Sequence, residues 1–388
     1  MSTSTTSPLK TALIGLSSAP TGHGWLNHFH LPALQKHVDK FQITSVLGSS
    51  LTNAQNAIKK HNLASSIRAY GMPEDLAKDK EVDFLVVGVK APLHRDVIMP
   101  SLQGGRLKGM FVEWPIGRSL AETEEIINLA RAQNLRTAVG LQGRYSAVTR
   151  RSHQLIPRIG RILSTTVVGT LPSGDGKTEP AGTAYALDPA NGATILDIHF
   201  AHFIECLTFA LDADFATVSG LAKTMHPTTN LIDPLTTEVV QTEYPKPSPD
   251  QILAQGLLRS KSATPSDAAE GDVVYSIHIR GGSSISGGMT WLIYGSNGEI
   301  EITSPYHMVP WINLPVPWKI RVKVDGAEDV EEENVTEEEE GQPAVGRLWD
   351  AFVEGNDGGW PDFEHALKIH RVVDAVWRSS RDGKVVKL

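Results

Sequence analysis

The chain has 388 residues, 40% hydrophobic and 21% charged, the balance of an ordinary globular protein. A formal net charge of −8, with no basic cluster, argues against a nucleic-acid surface, and the length predicts two domains. The single cysteine, Cys206, excludes an internal disulfide and fits a reducing compartment. The opening "MSTSTTSPLK" is polar, is expected to be disordered, and lacks the apolar core of a signal peptide. No apolar run is expected to reach the roughly 20 residues that span a bilayer, so the cytoplasm is the expected location.

The first 145 residues alternate strand and helix signals. "TALIGL", "FQITSVLGSS", "VDFLVVGVKA", "GMFVEW" and "RTAVGLQG" read as buried strands. Helical stretches lie between them, at Leu31 to His37, Thr52 to His61, His94 to Leu102 and Leu120 to Gln133. Apolar strands alternating with amphipathic helices predict a parallel sheet covered on both faces.

After Ser146 the pattern changes. A helix over Ala147 to Ile159 leads into "GRILSTTVVGTL", and strands then dominate: "ATVSGLAKTM", "DVVYSIHIRGG", "MTWLIYGSNGEIEITS" and "KIRVKVDG". Ser296-Asn297-Gly298 has hairpin chemistry, with Asn-Gly expected to supply positive φ. The charge run "DVEEENVTEEEE", Asp329 to Glu340, reads as a solvated loop. A helix over Phe363 to Ser380 closes the chain and is expected to pack back on the body. The expected architecture is an α/β Rossmann-type domain over 8–144, followed by an α+β domain with an open, mostly antiparallel sheet over 145–388.

The first strand ends at Gly15, and Gly22 and Gly24 follow. A dinucleotide turn needs glycines where amides approach a pyrophosphate, but this spacing fits a structural loop equally well. Position in the fold favours the phosphate cradle, because the turn follows the first strand of an alternating domain. The second strand ends at Leu47-Gly48-Ser49-Ser50, without the acidic residue that recognises a free ribose 2′-hydroxyl. Hydroxyls and helix-start amides there lean toward NADP, with NAD as the alternative.

"HLPAL", "VVGVKAPLH", "VEWPIGRSLAETEEI", "VGLQGRYS", "YGSNGEIEI" and "ALKIHRVVDAVWRSSRDGKVV" occur in this order. As a set they resemble the glucose–fructose oxidoreductase and inositol dehydrogenase family of two-domain NAD(P)-binding proteins. Gly24-Trp25, "FVEW", "LQGR" and "NGATIL" look most like its branch containing the fungal galactose-regulon repressor. The resemblance implies that Gly15, Leu16, Gly24 and Trp25 border the pyrophosphate and that Ser49 and Ser50 lie near the adenosine ribose. It implies that Val89, Ala91, Pro92 and His94 flank the turn after the third long strand. Glu113, Trp114 and Pro115 would approach the nicotinamide side, with Gln142 and Arg144 nearby.

Most members of that family read Glu-Lys-Pro where this chain reads Glu113-Trp114-Pro115. An ammonium can stabilise the substrate oxygen as hydride moves, whereas an indole offers one N–H and a flat face. The family's second motif is Asp followed four residues later by His. Here Asp197 precedes His202 by five, a step that turns side chains apart on a regular helix. His199 lies one turn from His202 and could share its face, and the pair could donate a proton with Asp197 in support; packed helix residues are the alternative. Tyr145 is a further candidate acid. No third ligand supports a metal at the histidines. Cys206 reads as a small buried residue, and Trp291, Trp311 and Trp318 as core or dimer-surface residues. The Gly- and Pro-containing stretch Leu171 to Ala184 is expected to line a substrate pocket.

Three functions follow. The first is an NAD(P)-dependent oxidoreductase acting on a small carbonyl, alcohol or imine compound. The second is a non-catalytic NAD(P)-binding regulator that docks a protein partner, and would then be nuclear. The third is a redox-neutral isomerase or cyclase. A homodimer or higher homo-oligomer through the open sheet is expected in each.

Overall fold

Strands with no polar face need cover on both sides, and those of the N-terminal half get it. The computed structural model describes residues 7–19, 24–171, 173–261, 271–285, 287–305, 310, 318–336, 343–355 and 359–388. Gly22, Trp311, the first six residues and Glu337 to Glu340 lie outside these. The chain divides into two units, one running to Leu141 and including Val345–Leu367, the other Gln142–Ala344 with Lys368–Leu388.

The first unit holds β1 (Leu9–Ile14), β2 (Phe41–Leu47), β3 (Arg68–Tyr70), β4 (Phe84–Val87), β5 (Gly109–Val112) and β6 (Arg136–Val139), all parallel, in the order β3-β2-β1-β4-β5-β6. β4 and β5 are buried throughout, as strands covered on both faces must be. The strand order reverses at β1 and β4, and in such folds the ligand crevice opens there, beyond the strands' carboxyl ends. The helix Leu51–Lys60 starts where Ser50 Oγ accepts the Asn53 amide at 3.1 Å. A distant segment completes this unit's core. The helix Ala344–Glu354 buries Trp349 and Phe352, and the Trp349 ring stacks on Phe111 with centroids 4.7 Å apart and packs edge-on against Phe41.

The second unit holds β7 (Ile162–Leu171), β8 (Thr178–Pro180), β9 (Ala213–Lys223), β10 (Thr228–Ile232), β11 (Val239–Pro245), β12 (Gln251–Ser260), β13 (Asp272–Gly281), β14 (Met289–Gly295), β15 (Gly298–Ser304), β16 (Trp318–Val324), β17 (Glu331–Val335) and β18 (Val386–Lys387). The large sheet runs β17-β16-β15-β14-β7-β13-β12-β9-β18, antiparallel except for β7 beside β13; a small sheet runs β11-β10-β8. Along β7, β13 and β14 the residues alternate. Val167, Ile277 and Trp291 are buried, and Trp291 meets Phe203 of the helix Ala201–Ala210 edge-on. Val168, Val274 and Tyr294 are exposed on the other face. Trp318 is also buried.

Two expectations need correction, and a third is met. The acidic run is not all loop: Glu331–Val335 forms the edge strand β17 against β16. Alternation sends Glu331 and Glu333 to Arg158 and Arg151 (2.8 and 2.7 Å), while Glu332 meets Lys319 at 2.8 Å. Cations on both sides make a strand of a run that composition alone reads as solvated. The expected β14–β15 hairpin forms, with Ser296 and Asn297 as its turn residues and the positive φ on Gly298 (+152°), the glycine of the Asn-Gly pair. A Cβ there would lie 2.2 Å from the Lys323 carbonyl oxygen, so the close approach of β16 requires glycine. Finally, the 22-residue helical stretch Pro189–Ala210 is long and apolar enough to cross a membrane; most of it is buried, as in a core helix.

Candidate functional site

The turn after β1 is built by close approach and by one side-chain amide. Gly15 has φ +103°, and a Cβ on it would stand 2.7 Å from Val89 Cγ1. No other residue fits between the ends of β1 and β4. Leu16 is buried beside it. The Ser17 amide donates to Asn27 Oδ1 (2.9 Å), and Asn27 Nδ2 donates back to the Ser17 carbonyl (3.2 Å). The Asn27 amide also donates to the Gly24 carbonyl (2.9 Å). Asn27 therefore ties the start of this turn to the π-turn that follows it, and the glycine pattern gave no sign of it. Trp25 packs on Phe29 with centroids 4.2 Å apart, and its buried Nε1–H has no hydrogen-bond partner among the described residues. A buried donor left without such a partner fits a ligand rich in acceptors, such as a diphosphate.

At the end of β2, Ser50 is committed to capping the next helix. Ser49 is exposed, and its Oγ accepts from Asn53 Nδ2 at 2.8 Å, which leaves its O–H proton available. After β4, Ala91 and Pro92 form a short 3₁₀ turn leading to His94. His94 is buried, and burial lowers its pKa. Its Nδ1 lies 2.7 Å from the Pro115 carbonyl and its Nε2 3.1 Å from that of Val89. A neutral ring carries one N–H, which we place on Nδ1 at the shorter contact. His94 thus braces the turn after β4 against the turn after β5.

The turn after β5 carries Glu113, Trp114 and Pro115, with a cis Trp114–Pro115 peptide. Trp114 is only 5% exposed. Glu113 Oε1 lies 2.6 Å from His30 Nε2, and Trp349 Nε1 donates to His30 Nδ1 at 3.0 Å. The carboxylate occupies the space over Gly140, where a Cβ would fall 2.2 Å from Oε2. Neither His30 nor Trp349 was legible as a site residue; Trp349 lies more than 300 positions along the chain from His30.

In the second unit, Gln142, Arg144 and Tyr145 share a 3₁₀ turn, Gln142–Tyr145, packed on the helix Ala201–Ala210. A Cβ on Gly143 would lie 2.3 Å from Cys206 Sγ. The Arg144 amide and Nε donate to the two oxygens of Glu205 at 3.0 and 2.7 Å, and Glu205 is fully buried. Burial raises the Glu205 pKa, and the Arg144 guanidinium opposes that. Arg144 thus holds Glu205 from the same 3₁₀ turn that the family resemblance sets near the nicotinamide side. A lone glutamate in the apolar stretch "AHFIECLTFA" is the signal that such a partner exists. Buried Cys206 has its thiol pKa raised by burial, consistent with a packing residue.

Leu196–Phe200 winds as a π-turn, with the Phe200 amide bonded to the Ile195 carbonyl at 2.9 Å. A π-turn accommodates one extra residue, so five positions cover roughly what four cover in an α-helix. The register objection to Asp197 and His202, which assumed a regular helix, thereby loses its basis. Asp197 Oδ2 accepts the Thr194 amide and hydroxyl (2.9 and 2.7 Å), and Oδ1 accepts Trp377 Nε1 (3.0 Å). These bonds start the helix and hold Trp377. Burial lowers the His199 pKa to about 4; burial, and then the neighbouring His199, lower that of His202 to about 3. Both imidazoles are neutral at pH 7.

Comparisons with known proteins follow the same division. Residues 18–141 match the oxidoreductase family with an NAD-binding Rossmann fold, and residues 150–304 match the Gal80p C-terminal domain. Two family models thus match successive parts of the chain, each less than half of it. The galactose/lactose metabolism regulatory protein GAL80 of Saccharomyces cerevisiae is 26% identical over 304 residues, 76% of this chain and 66% of that protein, just under two thirds of its length. The dehydrogenase aclE of Aspergillus oryzae is 27% identical over 380 residues, 97% of each. A crystal structure of a super-repressor mutant of S. cerevisiae Gal80p superposes with a TM-score of 0.81 at 23% identity over 98% of both chains. Levoglucosan dehydrogenase with NADH and levoglucosan superposes at 0.72 and 15% identity, over 98% of this chain and 99% of that one. The structural likenesses bear out the fold: a Rossmann-type domain with a mostly antiparallel second sheet.

Proposed function

We propose that this protein is an NAD(P)-dependent oxidoreductase acting on a small hydroxyl, carbonyl or imine compound, without the lysine usual at position 114. One observation carries the reading: His199 and His202 lie three residues apart where the second unit's π-turn Leu196–Phe200 runs into its core helix Ala201–Ala210. His202 takes the proton of a substrate hydroxyl as the alcohol is oxidised and returns it in the reverse direction, with His199 beside it in the chain. A bound oxidised nicotinamide supplies the hydride acceptor. Gly15, Leu16, Gly24 and Trp25 hold its diphosphate, Ser49 its adenosine ribose, and Glu113 its nicotinamide side. The match to a dehydrogenase along 97% of both chains supports this reading.

NADP is the preferred cofactor, because no acidic residue at the end of β2 repels a 2′-phosphate. The protein is a homo-oligomer, formed through the sheet face that leaves Val168, Val274 and Tyr294 exposed. Trp114 favours a second reading. A buried indole where a catalytic ammonium is usual suits a regulator that binds dinucleotide and a protein partner without turnover.

Both readings are tested by titrating the purified protein with NADP⁺ and NAD⁺, then screening alcohols, aldehydes, ketones and imines at 340 nm. Turnover supports the oxidoreductase. Binding without any turnover supports the regulator, and tighter NAD⁺ binding contradicts the NADP preference.

A further inference from the structure

A buried histidine normally leaves its tautomer open, but here the neighbours fix it. The Trp349 indole can only donate, and it does so to His30 Nδ1 at 3.0 Å. That nitrogen must therefore carry the lone pair, and the ring proton lies on Nε2. Nε2–H then donates to Glu113 Oε1 at 2.6 Å. His30 is fully buried, at the end of the π-turn Leu26–His30, while Glu113 keeps 13% of its side chain exposed. Among the described residues, the second carboxylate oxygen, Oε2, accepts from the Trp114 amide alone, at a long 3.3 Å. It occupies the space above Gly140 that any larger residue would fill.

We propose that His30 and Trp349 are positioning residues for ligand binding by Glu113. Trp349 fixes the His30 proton, His30 holds one carboxylate oxygen, and the other is presented as an acceptor to a hydroxyl or amide N–H at the nicotinamide end of the dinucleotide. This rests on the proposed cofactor site. It assigns recognition there to a fixed carboxylate oriented from the far side by two core residues. A purely structural role for the pair would stabilise the fold without changing affinity.

The test uses the full chain and two readouts: the His30 tautomer by ¹⁵N-correlated NMR, and NADP⁺ and NAD⁺ affinity by calorimetry. Wild-type His30 should show the Nε2–H form. Trp349→Phe keeps a ring against Phe111 but removes the donor. It should mix the tautomers and weaken dinucleotide binding about tenfold, the effect of one directed hydrogen bond. His30→Leu should weaken binding at least as much, whereas His30→Gln, which retains an N–H for Glu113, should recover most of it. Should His30→Leu fail to fold, Trp349→Phe still decides. A wild-type proton on Nδ1 would overturn the hydrogen-bond chain. Wild-type affinity in Trp349→Phe with mixed tautomers would overturn the positioning role. Wild-type protein that binds neither dinucleotide would overturn the proposed function, and with it the ligand role of Glu113, even with the tautomer as expected.

Discussion

Each unit contains a π-turn just before an α-helix, and each π-turn carries site candidates. In the first unit, Leu26–His30 delivers His30 into a chain of directed hydrogen bonds, where Trp349 and Glu113 decide which nitrogen holds the proton. In the second, Leu196–Phe200 delivers Asp197 and His199 toward a helix core where burial is the largest influence on His199, His202, Asp197 and Glu205. Burial pushes the bases down and the acids up. The first arrangement fixes geometry, and the second keeps its imidazoles neutral and its carboxylates dependent on the donors that reach them.

The sharpest way to break this contrast is at Arg144. Arg144→Met leaves Glu205 buried without its cation and should cost about 3–5 kcal/mol, read as a large fall in Tm. Arg144→Met with Glu205→Leu should recover most of the loss; no recovery would mean that the pair is not what holds this turn.

The next effect is pH-dependent. The folded pKa of His202 lies below the unfolded value near 6.5, so the unfolded chain binds more protons between pH 6.5 and 4. The stability tied to a neutral His202 is complete above about pH 6.5 and is lost as pH falls. The loss should approach about 1.4 kcal/mol per pH unit, and His202→Asn should flatten urea-unfolding stability over this range. Equal slopes would contradict burial of a neutral ring.

Trp377→Phe removes one donor from buried Asp197 and should cost about 1–3 kcal/mol by thermal unfolding. The smallest effect is at Ser50. Ser50→Ala removes a helix cap and should cost about 1 kcal/mol, with NADP⁺ affinity changed less than by Ser49→Ala, because the Ser50 oxygen is already occupied.

Periodicity reached most of the fold. Strands β1, β2, β4, β5 and β6 and the helices between them follow from apolar alternation, which is local. Strands β10, β11 and β12 lie where the motifs thin out. β17 was hidden because its glutamates find their cations on β16 and the helix Ala147–Leu155 and its 3₁₀ extension, partners that composition cannot supply. The same limit applied at the site. Gly15 and Glu113 stand out locally, whereas Asn27, His30, Glu205 and Trp349 acquire meaning only from residues that folding brings to them. The π-turn at Leu196–Phe200 escaped a register argument made for a regular helix.

The proposed oxidoreductase rests on His202 as the residue that moves the substrate proton. The most direct measurement is steady-state turnover, at 340 nm, of an alcohol identified by the screen, by wild type and by His202→Ala. The account predicts turnover that falls about 10²- to 10⁴-fold in the variant, with NADP⁺ affinity nearly unchanged. Full turnover by His202→Ala would contradict it.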